Sequence, residues 1–229
     1  MSALNQLAAA GRVSRRLGLA LGLLLAAATG AAQINPATAA RTIDPGPVTD
    51  PTRRVAVFVP PVLFDETEFQ HIHRALVHAG WRPVIVGTDT AIASGFEHTL
   101  VRPEVGRAEL TASDFAGLVL VGGSGAALLW QDSALFATAR DFAEAGKPVA
   151  AAGLAVPILA RAGLLDGRAT AFFPDPAAIE LITRHGARFV HAPVVTDRGI
   201  ITTATVSDRG RRVARRFVAA LIAALEAER

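Results

Sequence analysis

Apolar and polar residues fall along this chain in blocks whose spacing separates strands from helices. Arg54-Val55-Ala56-Val57-Phe58-Val59 is a nearly continuous β-branched run stopped by Pro60-Pro61, the pattern of a strand buried on both faces. Phe69, Ile72, Leu76 and Val77 then recur at helical spacing, with Asp65 and Glu68 at the start and Gly80 at the stop. Residues 83–86 and 118–121 read as further buried strands, the second running into Gly122-Gly123-Ser124-Gly125, while 95–110 is less regular and suggests short strands at an edge. Leu135, Phe136, Ala139 and Phe142 mark one face of a helix closed by Gly146. Residues 148–152 form another strand that turns on Gly153 into a helix over about 155–162, stopped by Gly163. Asp175-Pro176 is a cap with proline in the first turn, opening a helix with Ile179 and Ile182 inward. Val194-Val195 and Ile200-Ile201 flank Asp197-Arg198-Gly199 as a hairpin, and a last helix from about Ser207 places Val213, Phe217, Leu221 and Leu225 on one face. Strands alternating with helices predict a mostly parallel three-layer α/β sandwich.

The first fifty residues do not share this pattern. A polar, basic lead ending Ser14-Arg15-Arg16 precedes an apolar run from Leu17 and then small residues through Ala32, the order of an export signal. The paired arginines resemble a twin-arginine signal, although Gly18 stands where that motif has phenylalanine. Residues 17–32 number sixteen, short of the roughly 20 that cross a bilayer comfortably, so a cleaved signal peptide is expected, with an uncleaved membrane anchor as the alternative. Either places the domain outside the cytoplasm, in the periplasm or beyond. Residues 33–53, rich in Pro, Ala and Thr, read as a flexible linker, which leaves 54–229 as one domain.

Composition narrows the chemistry. The sequence pI of about 10.7 suggests a polyanion partner. Yet three of the 23 basic residues, Arg12, Arg15 and Arg16, lie in the acid-free lead, and the rest of the chain balances its 20 acids. No nucleic-acid partner is therefore expected. The chain contains no cysteine, which excludes disulfides, thiolate metal sites and a cysteine nucleophile.

In an open parallel sheet the pocket lies beyond the carboxyl ends of the strands. Residues 60–68, 122–125 and 153–154 should meet there, making Asp65, Gly122, Gly123, Gly153 and Leu154 the candidate ligand-binding set. The amides of Gly122 and Gly123 could hold an oxyanion or a ligand carboxylate, or the glycines could serve only a tight connection. Asp65 is a candidate general base, but capping the helix at 66 with Glu68 three residues on is its favoured role. Ser124 sits in an approximate nucleophile elbow in which Ala126 replaces the last glycine, and His185 or His191 would have to supply the base. His71 and His73, two apart on a helix, point to different sides and should be exposed or half-buried, so no metal site is expected from them. Arg209, Arg211, Arg212, Arg215 and Arg216 read as a solvated face, with contact to an anionic membrane as the alternative.

VGGSG after a buried strand, then EAGKPVAAAGLAVPILARAGLLDGRATAFF, then VVTDRGIITTATVSD, resembles the ThiJ/PfpI family of the class I glutamine-amidotransferase-like superfamily. The resemblance implies a flavodoxin-like sandwich, often a homodimer; no cofactor is expected. It also implies a nucleophilic cysteine at the position of Gly153, a histidine at that of Leu154, and an assisting acid at Asp65. The chain therefore resembles a catalytically degenerate member that binds a small ligand or a protein partner. The alternative is a noncysteine hydrolase or lyase using Asp65 or Ser124 with a Gly122/Gly123 oxyanion site.

Overall fold

Arg54 opens β1 (Arg54–Phe58), whose residues after the first are all buried, as the unbroken apolar run requires. In the computed structural model, which describes residues 53–171, 174–204 and 211–228, this strand lies inside a seven-stranded sheet. The chain continues through β2 (Val62–Phe64), α1 (Glu66–His78), β3 (Arg82–Gly87), β4 (Ala93–Gly95), β5 (Leu100–Val101) and β6 (Val105–Gly106). Then come β7 (Gly117–Leu120), α2 (Ser133–Glu144), β8 (Val149–Ala152), α3 (Val156–Arg161), β9 (Ala169–Ala171) and α4 (Pro176–Arg184). β10 (Arg188–Val190), β11 (Val194–Asp197), β12 (Ile200–Thr203) and α5 (Arg211–Ala227) complete it. The sheet runs β11-β12-β8-β7-β1-β3-β6, parallel throughout except for β11, which pairs antiparallel with β12.

Side-chain alternation divides the core between the two faces of this sheet. Ala56, Phe58, Leu118 and Leu120 pack with Leu135 and Phe136 of α2, Ile158 of α3 and Ile182 of α4. Val55, Val57, Val119 and Val121 pack with Phe69, Ile72 and Leu76 of α1 and Phe217 and Leu221 of α5. The three-layer α/β sandwich is thus present. Arg198 and Gly199, at φ 51° and 80°, form the β11–β12 turn, the geometry that two-residue hairpin turns favour.

Several details differ from the sequence pattern. Val62–Phe64 falls in an expected loop but forms β2, which joins β4 and β5 in a separate three-stranded sheet. Residues 153–155 are a 3-10 turn, so α3 begins at Val156, and Gly163 ends it at φ 76°. On α4 and α5 the buried stripe is rotated: Ala178 and Ala214 are inside, while Ile179 and Val213 are half-buried. Residues 1–52, with the apolar run 17–32, and Arg209 lie outside the described residues. No helix among the described residues is long and apolar enough to cross a membrane.

His73 corrects an expectation. It is buried at 2% exposure because α1 packs along a wide face that includes residues on both sides of the Phe69–Ile72–Leu76 stripe. Its ring lies 5.7 Å from that of Phe69, and burial lowers its pKa, opposed by the charge of Glu104 and assisted by Arg74. Protonation is therefore easier in the unfolded chain, where histidine titrates near 6.5. Stability should be complete above about pH 6.5 and fall below it, by up to about 1.4 kcal/mol per pH unit, until the folded ring itself protonates. Urea unfolding of wild type and His73→Leu at pH 7.5 and 5.5 checks this; equal pH dependence in the two proteins would refute it.

Candidate functional site

Three segments meet at the carboxyl edge of the sheet. After β1 the chain passes Pro60-Pro61 and β2 to Asp65, which caps α1: its Oδ1 accepts from the Glu68 amide at 2.9 Å. The Asp65 amide donates to the Gly122 carbonyl at 3.0 Å, tying the cap to the end of β7. Glu68 is 2% exposed, and its Oε2 accepts from the Gly122 amide at 2.9 Å. A Cβ on Gly122 would stand 2.6 Å from that Oε2 and 2.6 Å from the Ala152 carbonyl oxygen, at the end of β8. Glycine at 122 thus lets the Glu68 carboxylate and the ends of β7 and β8 close on one point.

Gly123 follows at φ 102°, and beside it opens a cavity of about 360 Å³ lined by Asp65, Glu66, Thr67, Phe96, Glu97, Gly123 and Ser124. Its outer wall is the β4–β5 hairpin, which Glu66 fastens. The Glu66 carboxylate is buried and accepts from the amides of Glu97 and Thr99, each at 2.6 Å. Phe96 is left 68% exposed at the rim. Among the described residues, all the ionisable side chains that line this cavity are carboxylic acids.

The expected site residues divide accordingly. Asp65, Gly123 and Ser124 line the cavity. Gly122 is buried behind it, and its amide, expected as an oxyanion donor, is already engaged by Glu68. Gly153 is buried at φ 50°, and Leu154 is half-buried with its carbonyl accepting from Trp130 Nε1 at 2.8 Å; neither lines the cavity. Ser124 is exposed, and among the described residues its hydroxyl has no hydrogen-bond partner. His185 Nδ1 pairs instead with the Leu181 carbonyl at 2.8 Å. His71 Nδ1 pairs with the Thr67 carbonyl at 2.7 Å, and no group of three His, Asp or Glu side chains among the described residues could hold a metal ion.

Comparison with known proteins fits this geometry. The DJ-1/PfpI family model matches residues 53–220. The chain belongs to the DJ-1/PfpI family. It is 28% identical over 150 residues to an uncharacterized protein of Methanocaldococcus jannaschii, an alignment covering 65% of this chain and 73% of that one. Among solved structures, a ThiJ/PfpI domain protein from Brachyspira murdochii superposes with a TM-score of 0.70 at 22% identity, over 78% of this chain and 99% of that one. Drosophila melanogaster DJ-1beta gives 0.61 at 23% identity, over 73% of this chain and 87% of that one. At such identities the two structures establish the DJ-1/PfpI fold of this chain.

Within this DJ-1/PfpI domain the carboxylate bonded to the end of β7 is Glu68, which the sequence pattern assigned only to capping. A capping box would send Glu68 back to the Asp65 amide. That amide is held by the Gly122 carbonyl instead, and the glutamate turns inward to the Gly122 amide. Asp65 keeps the other half of the box.

Proposed function

We propose that this protein is an exported DJ-1/PfpI domain that binds a small ligand reversibly and has given up covalent catalysis. The observation that carries the reading is the turn after β8: Gly153, where the resemblance puts a nucleophile, is buried, has φ 50° and offers no side chain. A non-glycine residue held there would bear about 1–3 kcal/mol of strain, and glycine keeps the turn without it. The assisting acid belongs to Glu68 in this reading, and its engagement with the Gly122 amide makes it a structural support of the loop after β7. The ligand site is the cavity beside Asp65, Gly123 and Ser124, with Phe96 as an apolar rim. Export rests on the order of charged, apolar and small residues in the first 32 positions, and mass spectrometry of the mature N-terminus tests it; an intact Met1 would count against cleavage.

The second reading, a noncysteine hydrolase or lyase, is favoured by Asp65 and Ser124 lining one cavity. Of the two histidines it would call on, His185 has its Nδ1 paired with the Leu181 carbonyl. Purified protein is expected to show no glyoxalase or esterase turnover above background. Turnover lost in Asp65→Ala or Ser124→Ala would overturn the ligand-binding reading in favour of the enzyme.

A further inference from the structure

The parallel strands have a second edge, at their amino ends, remote in the fold from the cavity just described. Arg54 at the start of β1, residues 113–116 ahead of β7, Lys147 ahead of β8, Trp81 ahead of β3 and the last turn of α5 surround a cavity of about 510 Å³ there. We propose that this cavity binds the oxyanion group, carboxylate or phosphate, of a small molecule, with Arg54 as the recognising fork.

Arg54 carries the inference. Its Cζ lies 4.6 Å from the centroid of the Phe115 ring, and its guanidinium makes no hydrogen bond or ion pair among the described residues. Stacking fixes the guanidinium plane while leaving its edge free, and that edge matches a carboxylate or phosphate in a bidentate manner. Among the described residues the Arg54 Nε is buried and unpartnered, as are the Arg53 Nε and the indole Nε1 of Trp81, a residue only 1% exposed. Buried donors without an acceptor are rare and cost about 1–3 kcal/mol each. All three residues line the one cavity, so its wall is built from side chains with donors to spare, the complement of an acceptor-rich group.

The neighbouring cations are already placed. Arg53 stacks 4.5 Å above Trp81 and pairs with Glu226, and Lys147 donates to the carbonyls of Ala112 and Phe115. Asp114 and Glu228 also line the cavity at exposed positions, so its net charge is small and the geometry of the Arg54 fork dominates recognition.

The chain has two tryptophans, which supply a built-in probe. In 15N-labelled full-length protein the Trp81 and Trp130 indole resonances are followed while inorganic phosphate, or separately acetate, replaces chloride at constant ionic strength. The Trp81 signal should shift saturably and the Trp130 signal, from an indole bonded to Leu154 at the opposite edge, should not. A response to phosphate alone assigns a phosphate group, and a response to acetate assigns a carboxylate. Arg54→Gln should weaken binding at least about tenfold with the Trp130 signal unmoved. If that variant perturbs the fold, Arg54→Lys keeps the charge, loses the fork and should still bind more weakly than wild type. No saturable shift of Trp81 with either anion, or wild-type affinity in a folded Arg54 variant, would overturn the proposal.

Discussion

Gly125→Ala is expected to destabilise the domain by about 3 kcal/mol or more, against about 1–2 kcal/mol for Gly163→Ala. The two glycines separate two physical reasons for the residue. Gly163 has φ 76° with nothing among the described residues within 4 Å of a Cβ, so alanine there meets only the left-handed backbone penalty. A Cβ on Gly125 would stand 1.6 Å from the Val62 carbonyl oxygen and 2.8 Å from its carbon, with Pro60 Cβ at 3.3 Å. The obstacle is main chain and cannot rotate away. Val62 pairs with Ser94 in the small sheet, and the adjoining Pro61 carbonyl accepts from the Ser94 amide at 3.1 Å. Relief would therefore displace β2, and with it Asp65 and the cavity wall. Urea denaturation of the two variants in parallel measures the difference; equal losses would show that β2 yields easily and that the close approach carries little energy.

That contrast also explains how far the sequence could be read. The main sheet was legible because β1, β7 and β8 are buried on both faces and must be continuously apolar, a local signal. The caps were legible for the same reason: Asp65 and Asp175 each accept from an amide three residues on. The small sheet was legible only at β5, inside the 95–110 stretch expected to hold short strands, since β2 and β4 span three residues each and leave no periodicity to count. The candidate site was legible as a meeting of three loops, through the parallel-sheet rule and the glycine pair. Its carboxylates were not. Glu66 and Glu68 stand in the first turn of a helix, where acids are usually solvated and favourable to the dipole. Their partners lie 31 to 54 positions further along the chain, and no local pattern reports that distance.

Glu66→Ala is expected to release the β4–β5 hairpin without unfolding the main sheet. The Glu66 carboxylate accepts two amides at 2.6 Å, and hydrogen bonds to a charged group contribute about 1.5–3 kcal/mol each. Few other ties hold the hairpin tip: Phe96 N to the Phe64 carbonyl at 3.0 Å, Gly95 N to the Thr99 carbonyl at 2.8 Å and His98 N to the Gly95 carbonyl at 3.2 Å. The tip also contains His98 at φ 69°, a conformation that costs energy and persists only while its surroundings hold it. Glu66→Gln should do little better, because an amide side chain offers one acceptor oxygen and turns a donor toward the second N–H. Amide exchange at Glu97 and Thr99 should accelerate by about a hundredfold or more in both variants, whereas Val57 and Val119 in the main sheet should stay protected. Because Phe96 and Glu97 form one side of the cavity, the same release should weaken any ligand held there. Unchanged exchange at Glu97 would mean that the hairpin is held by its own backbone pairing, and Glu66 would then be a buried carboxylate without a positioning role.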